Sequence, residues 1–250
     1  MASLFARRAL LAGMAVLVGG CAVQSQVAFD PAQHRDIRTV ALVNIPKPPA
    51  PTIRNHASPA ALLGGGLAAG AVAASSASEN QDPLVRLLAA QKFDFSKEME
   101  QAITERLRKM GYKVVRVEFP RDNPYALLKD YDKVQAAGAD AILDATNGVF
   151  FGYSNVNLMD TKYRPHLHFY LRLVDAKTKN VLYGDEMQYG YLNPLMTGAK
   201  LTAPDKFYYA SVEDVLADPK RTVEGLRTGI RDIADHMAQG LSGTDAGTKR

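Results

Sequence analysis

Cysteine is almost absent from this sequence: Cys21 is the only one in 250 residues, so no internal disulfide can form. The usual catalytic signatures are missing too. There is no Gly-x-Ser-x-Gly elbow, no His-Glu-x-x-His pair and no phosphate-binding loop. No block of Lys and Arg interleaved with aromatics occurs, which argues against nucleic acid as a partner. The positive balance is also small. The formal charge is 30 − 26 = +4, and without Arg7 and Arg8 of the leader it becomes 28 − 26 = +2. No cofactor is implied, and the lack of any constellation of reactive groups argues against an enzyme.

What is present begins at the amino terminus. Arg7 and Arg8 precede the apolar run ALLAGMAVLV (residues 9–18). That run is about half the ~20 residues that a membrane-spanning helix needs. Residues 18–21 (VGGC) resemble the lipobox of bacterial lipoproteins, in which the cysteine is acylated and becomes the first residue of the mature chain. The resemblance implies a signal peptide over residues 1–20 and a lipid on Cys21, which explains why the sole cysteine stands where it does. Position 22 is Ala rather than the Asp associated with inner-membrane retention. The expected address is therefore the periplasmic face of the outer membrane, with the membrane a partner through the lipid. A diacylated or triacylated anchor holds stably, since each buried methylene contributes about 0.8 kcal/mol.

Residues 21–36 read as a polar, lipidated tether, and residues 37–241 as one domain. IRTVALVNI (37–45) reads as a buried strand stopped by the prolines at 46, 48, 49 and 51. Residues 93–110 read as a helix with Ser96 as its cap, its apolar stripe at Phe95, Met99, Ile103, Leu107 and Met110, and Gly111 beyond its end. KVVRVEF (113–119) is a second strand, residues 125–137 a shorter helix, and ADAILDA (139–145) a third strand. VFFGYSNV (149–156) is aromatic and strand-like. Residues 166–174 alternate and pair with residues 181–191 as a hairpin across the polar turn DAKTKN. Asp218 and Pro219 open a long helix with its stripe at Val223, Leu226, Ile230, Ile233, Met237 and Leu241. A polar tail, 242–250, closes the chain. The fold class is thus α/β (α+β): a mixed sheet built β-α-β-α-β, then an antiparallel hairpin and a long C-terminal helix.

With that order of elements, the strand IRTVALVNI, the run RLRKMGYKVV, the stretch AAGADAILDA and the hairpin LRLVDAKTKNVLYGDE give the chain a likeness to a known group. It resembles the curli-secretion-channel type of periplasmic lipoprotein domain and is similar to the amino-terminal domain of the Tol-system protein TolB. The resemblance implies a non-catalytic module that assembles envelope complexes, takes part in secretion or contacts envelope proteins.

Chemistry is sparse beside this. His166 and His168, at i and i+2 on one strand, place both rings on one side and form a candidate metal pair, the basis of an alternative reading as a metal-binding protein or metal-dependent enzyme; a third ligand has to come from elsewhere, such as Asp160 or Asp185, and no spacing singles one out. Asp144 and Glu186 pair as carboxylates only if the fold happens to bring them together. The aromatics between Phe150 and Tyr209 read mainly as core, and secondarily as a contact surface rich in tyrosine.

Residues 57–78 carry no charge. Gly64, Gly65, Gly66 and Gly70 weaken a helix by about 1 kcal/mol each, so this is a poor membrane span. Small residues at such spacing instead permit close backbone approach, which marks the four glycines as candidate interaction residues for self-association or bilayer contact, ahead of a helix packed within its own domain or a mobile loop. On that reading, Gly66→Leu and Gly70→Leu leave secretion and lipidation intact but abolish crosslinked oligomers in cells. Unchanged crosslinks contradict it.

Overall fold

The computed structural model describes residues 26–55, 81–155, 160–190 and 198–243. Cys21 and the glycine-rich stretch, with Gly64, Gly65, Gly66 and Gly70, lie outside them, as do residues 244–250. The first strand, β1 (Thr39–Val43), runs between β3 (Lys113–Val117) and β4 (Ala141–Ser154), parallel to both. A short strand, β2 (Thr52–Arg54), runs parallel to the far end of β4. From β4 the sheet turns antiparallel through β5 (Arg164–Asp175) and β6 (Val181–Tyr189), and β7 (Ala199–Leu201) closes the edge. The sheet is therefore mixed, with a parallel part followed by an antiparallel hairpin, as its sequence pattern predicts.

One face of this sheet is covered by helices α1 (Gln81–Ala90), α2 (Phe95–Lys109), α3 (Val212–Ala217) and α4 (Pro219–Leu241). The alternation along β5 decides which face. Leu167, Phe169, Leu171 and Leu173 are buried in the same core as Met99, Ile103 and Leu107 of α2 and Leu226, Ile230 and Ile233 of α4. Bidentate contact between Arg227 and Glu98, at 2.9 Å, and an ion pair between Arg106 and Asp235 clasp α2 to α4. Sheet tyrosines reach this helix closely. At Gly229 of α4 an added Cβ would lie 2.6 Å from the Tyr189 ring, so only a residue without a side chain lets α4 settle here. Most of the aromatics from Phe150 to Tyr209, among them Tyr153, Phe169, Tyr189 and Phe207, are buried core residues rather than an outer contact surface.

Several local expectations are corrected. Residues 125–137 form turns, not a helix. Their short polar side chains compete for the backbone: Asn123 and Asp130 each accept an N–H two residues on, from Tyr125 and Asp132 at 2.9 Å. The Leu128 N–H is taken by Asp144, and Ala137 adopts a positive φ of 49°. The cap of α2 is Asp94, which accepts from the Lys97 N–H, while the Ser96 hydroxyl donates to the Pro46 carbonyl. Residues 139–145 and 149–156 are not two strands. Residues 141–154 form one strand, β4, bulged between Asn147 and Phe151. Asp218 does cap α4, accepting from Arg221 at 3.1 Å with Pro219 in the first turn.

The second face carries its own apolar cluster, Ala41, Val43, Ile142 and Val174, roofed by Leu128, Tyr131 and Val134 of the turn segment. Asp144 holds that roof down. Its carboxylate, fully buried, takes the Arg121 guanidinium at 2.5 Å, the Leu128 N–H at 2.7 Å and the Tyr131 hydroxyl at 2.9 Å. Burial and the neighbouring carboxylate push the Tyr131 hydroxyl far above its ordinary pKa, so it stays a donor. Asp144→Ala strands a buried guanidinium and is expected to cost about 3–5 kcal/mol in urea unfolding. Lys133→Ala, which removes an exposed pair with Asp130, is expected to change stability by less than about 1 kcal/mol.

Candidate functional site

Two places concentrate polar groups: the part of the second face beyond the turn segment, and the point where the amino-terminal segment meets the β6 edge. Along β5, His166 and His168 project onto the second face between Arg164 and Tyr170. Both are buried, at 8% and 5% exposure, because the β4 bulge folds over them. Opposite His168, β4 inserts Gly148, Val149 and Phe150, and this brings the Phe150 ring within 4.2 Å of the His166 ring. Gly148 lies on the His168 ring, where a Cβ would stand 2.8 Å from Nδ1.

Each histidine has its own partner. The Ser154 hydroxyl is 3.2 Å from His166 Nδ1, and Glu186 Oε1 is 2.7 Å from His168 Nε2. The two residues proposed as third ligands are engaged elsewhere: Asp160 pairs with Arg164, and Asp185 lies on the opposite face of β6 with Tyr183 and His236. Among the described residues no group of three or more His, Cys, Asp or Glu side chains could hold a metal ion. Asp144 and Glu186 are not brought together either, since Asp144 pairs with Arg121 and Glu186 with His168.

The second place was not legible as a site. Of the expected tether, the described part, residues 26–36, is docked on the domain rather than free. Val27 and Gly184 exchange both backbone hydrogen bonds, at 2.9 and 3.0 Å, extending the sheet at the β6 edge. Gln26 donates to Asp185 Oδ1 at 3.2 Å, while Asp185 Oδ2 receives the Tyr183 hydroxyl and lies 3.1 Å from His236 Nε2 of α4. Phe29 and Ile37 are buried in the main core. A cavity of about 270 Å³ lies under this strap, lined in part by Val27, Phe29, Tyr183, Asp185 and His236. Burial and the Asp185 charge together push the Tyr183 hydroxyl well above its ordinary pKa, which keeps it a donor to that carboxylate. The signal in the sequence was the apolar triplet Val27-Ala28-Phe29, out of place in a solvated tether. Among the described residues no helix is long and apolar enough to cross a membrane.

No family model matches the chain, and no curated protein matches it. Among solved structures, it is similar to protein XCC0632 of Xanthomonas campestris, of the DUF330 family. The TM-score is 0.38 with 9% identity, over 83% of this chain and 92% of that one. It is also similar to lipoprotein GNA1162 of Neisseria meningitidis, with a TM-score of 0.22 and 17% identity, over 60% of this chain and 81% of that one. Identity this low says nothing of a shared activity.

His168 gives this face a pH dependence. Burial opposes its protonation more strongly than Glu186 favours it, so its pKa lies below the ordinary 6.5. As pH falls below 6.5, the unfolded chain takes up a proton that the folded chain refuses, and stability declines through that window. Replacing His168 with Gln keeps a donor for Glu186 and removes the titration. Urea midpoints measured from neutral pH downward should fall less steeply in H168Q than in the wild type, and an equal slope contradicts the assignment.

Proposed function

We propose that the chain is a lipid-anchored periplasmic protein of the bacterial outer membrane that serves as a non-catalytic assembly or interaction module of the cell envelope. The observation that carries this reading is the strap at the β6 edge. Gln26 is five residues from Cys21, and five extended residues span at most about 18 Å. An acylated Cys21 would therefore hold the β6 edge close to the bilayer surface, with no long leash between lipid and domain. Such a geometry suits a module that presents one side to membrane-bound partners, because anchoring in a plane with a set orientation raises the effective concentration of matching surfaces.

The resemblance of the strand, helix and hairpin motifs to curli-secretion-channel lipoproteins supports assembly as the role. Residues 57–78, with Gly64, Gly65, Gly66 and Gly70, are the proposed surface for self-association or for envelope partners. The pairing of His168 with Glu186 and of His166 with Ser154 favours this reading over a metal carrier, since both rings already serve the packing of β4, β5 and β6.

Cys21→Ser is the direct test. The variant is expected to lose acyl labelling and to leave the membrane fraction while keeping the wild-type unfolding midpoint. A Cys21→Ser chain that still carries acyl label overturns the lipoprotein reading. Wild-type chain that yields no crosslinks to itself or to any envelope protein in intact cells overturns the assembly reading.

A further inference from the structure

The far end of the second face gathers positive charge with too little negative charge to balance it. β2, β4 and β5 run side by side there, and their register places Arg54, Ser154 and Arg164 in one row across the three strands. Residues directly opposite in register share a face, so these three side chains and His166, two residues along β5, project to the same side. The backbones of β2 and β5 are two strand spacings apart, about 10 Å.

Arg164 is 7% exposed, and it packs its guanidinium 4.2 Å from the centre of the Tyr208 ring while pairing with Asp160 through one nitrogen. Its Nε is buried and has no hydrogen-bond partner. Arg54 is partly buried and stacks 4.3 Å over the Phe150 ring, with no carboxylate in ion-pair reach among the described residues. Burial alone acts on its guanidinium, lowering its pKa, with no anion to offset it. Asp160 is thus the one described carboxylate paired within a group of two guanidiniums and an imidazole.

Buried donors and buried charge are retained when something completes them. Two guanidiniums on one side of the sheet, with the Ser154 hydroxyl on the strand between theirs and the His166 ring beside it, match an oxoanion that presents several acceptors at once. We propose that Arg54, Ser154, Arg164 and His166 form a binding site for a phosphoryl group. Arg54, the partly exposed member, stands at its entrance. The same chemistry is offered by inorganic phosphate and by the phosphodiester of a phospholipid headgroup.

The test uses the full chain purified in an uncharged detergent. Inorganic phosphate is titrated by calorimetry, and thermal unfolding is followed in phosphate and in chloride at matched ionic strength. The expected result is saturable binding of one phosphate per chain and a rise in Tm that chloride does not reproduce. Arg54→Gln is expected to weaken binding roughly tenfold, as loss of one charge-assisted contact should, while Arg35→Gln, an exposed arginine on the segment before β1, leaves it unchanged. Competition with water-soluble dihexanoyl phosphatidylglycerol assigns the source. Displacement of phosphate at lower concentration identifies the headgroup, and failure to displace identifies the free anion. Wild-type chain whose Tm responds equally to phosphate and chloride overturns the site without recourse to any variant. Undiminished phosphate binding by a folded Arg54→Gln chain overturns the residue assignment.

Discussion

Double burial of the central strand is the constraint on which this structure depends. Nearly every residue of β5 is covered, whichever face it points to. A strand buried on one side can be polar on the other, but one buried on both must satisfy each polar group within the protein. The helical face meets this requirement with aliphatic and aromatic side chains. The second face instead carries histidines, carboxylates and arginines; most are matched within the protein, His168 with Glu186, His166 with Ser154 and Asp144 with Arg121, and among the described residues Arg54 and the Nε of Arg164 at its far end are not. The covers of that face differ in kind. A segment of turns is fixed to one end by the Asp144 carboxylate, and a three-residue bulge of the neighbouring strand folds over the other.

The same economy operates at the sheet's edge. An uncovered β6 would present unpaired N–H and C=O groups, a template for pairing with other chains. Here β7 pairs with one half of β6 and the amino-terminal strap pairs at Gly184. The strap does two jobs with one set of bonds. It closes the edge, and it brings residue 26 to a defined place on the domain. Asp185 joins the strap, β6 and α4 through Gln26, Tyr183 and His236, so the amino terminus is tied to the main helical core rather than to a loop.

Much of this was legible in the sequence, and for a physical reason. Strands and helices whose apolar spacing is regular, such as 37–45, 95–109, 166–174 and 219–241, announce themselves because one period fits them. The mixed sheet follows from their order. Residues 125–137 look helical because Leu128, Tyr131 and Val134 have near-helical spacing, yet these side chains serve as roof contacts. Asn123, Asp130 and the distant Asp144 capture the backbone groups that a helix would need. Long-range acceptors of that kind leave no local trace. His166 and His168 were correctly placed on one face, but their partners depend on the bulge and on register with β6, neither of which a spacing rule reveals. The row Arg54-Ser154-Arg164 is invisible for the same reason: its members are brought together only by pairing of strands far apart in the chain. The strap is the reverse case: residues 26–36 read as a polar tether, and only the apolar Val27, Ala28 and Phe29 hint that this segment docks on the domain.

The proposed anchoring requires the strap to hold the domain close to the bilayer that a lipid on Cys21 would enter. With Cys21 acylated, a cysteine introduced at Val181 or at Val85 is the only free thiol, and both positions are exposed. Val181 lies three residues from the strap's pairing point on β6, whereas Val85 lies on α1, which packs toward the β2 end of the sheet. The decisive measurement is energy transfer from a donor dye at each position to acceptor lipids in vesicles bearing the full lipidated chain. Strong transfer from position 181 and clearly weaker transfer from position 85 is the predicted result. Equal transfer from both positions, as a domain tumbling on a free leash would give, contradicts it.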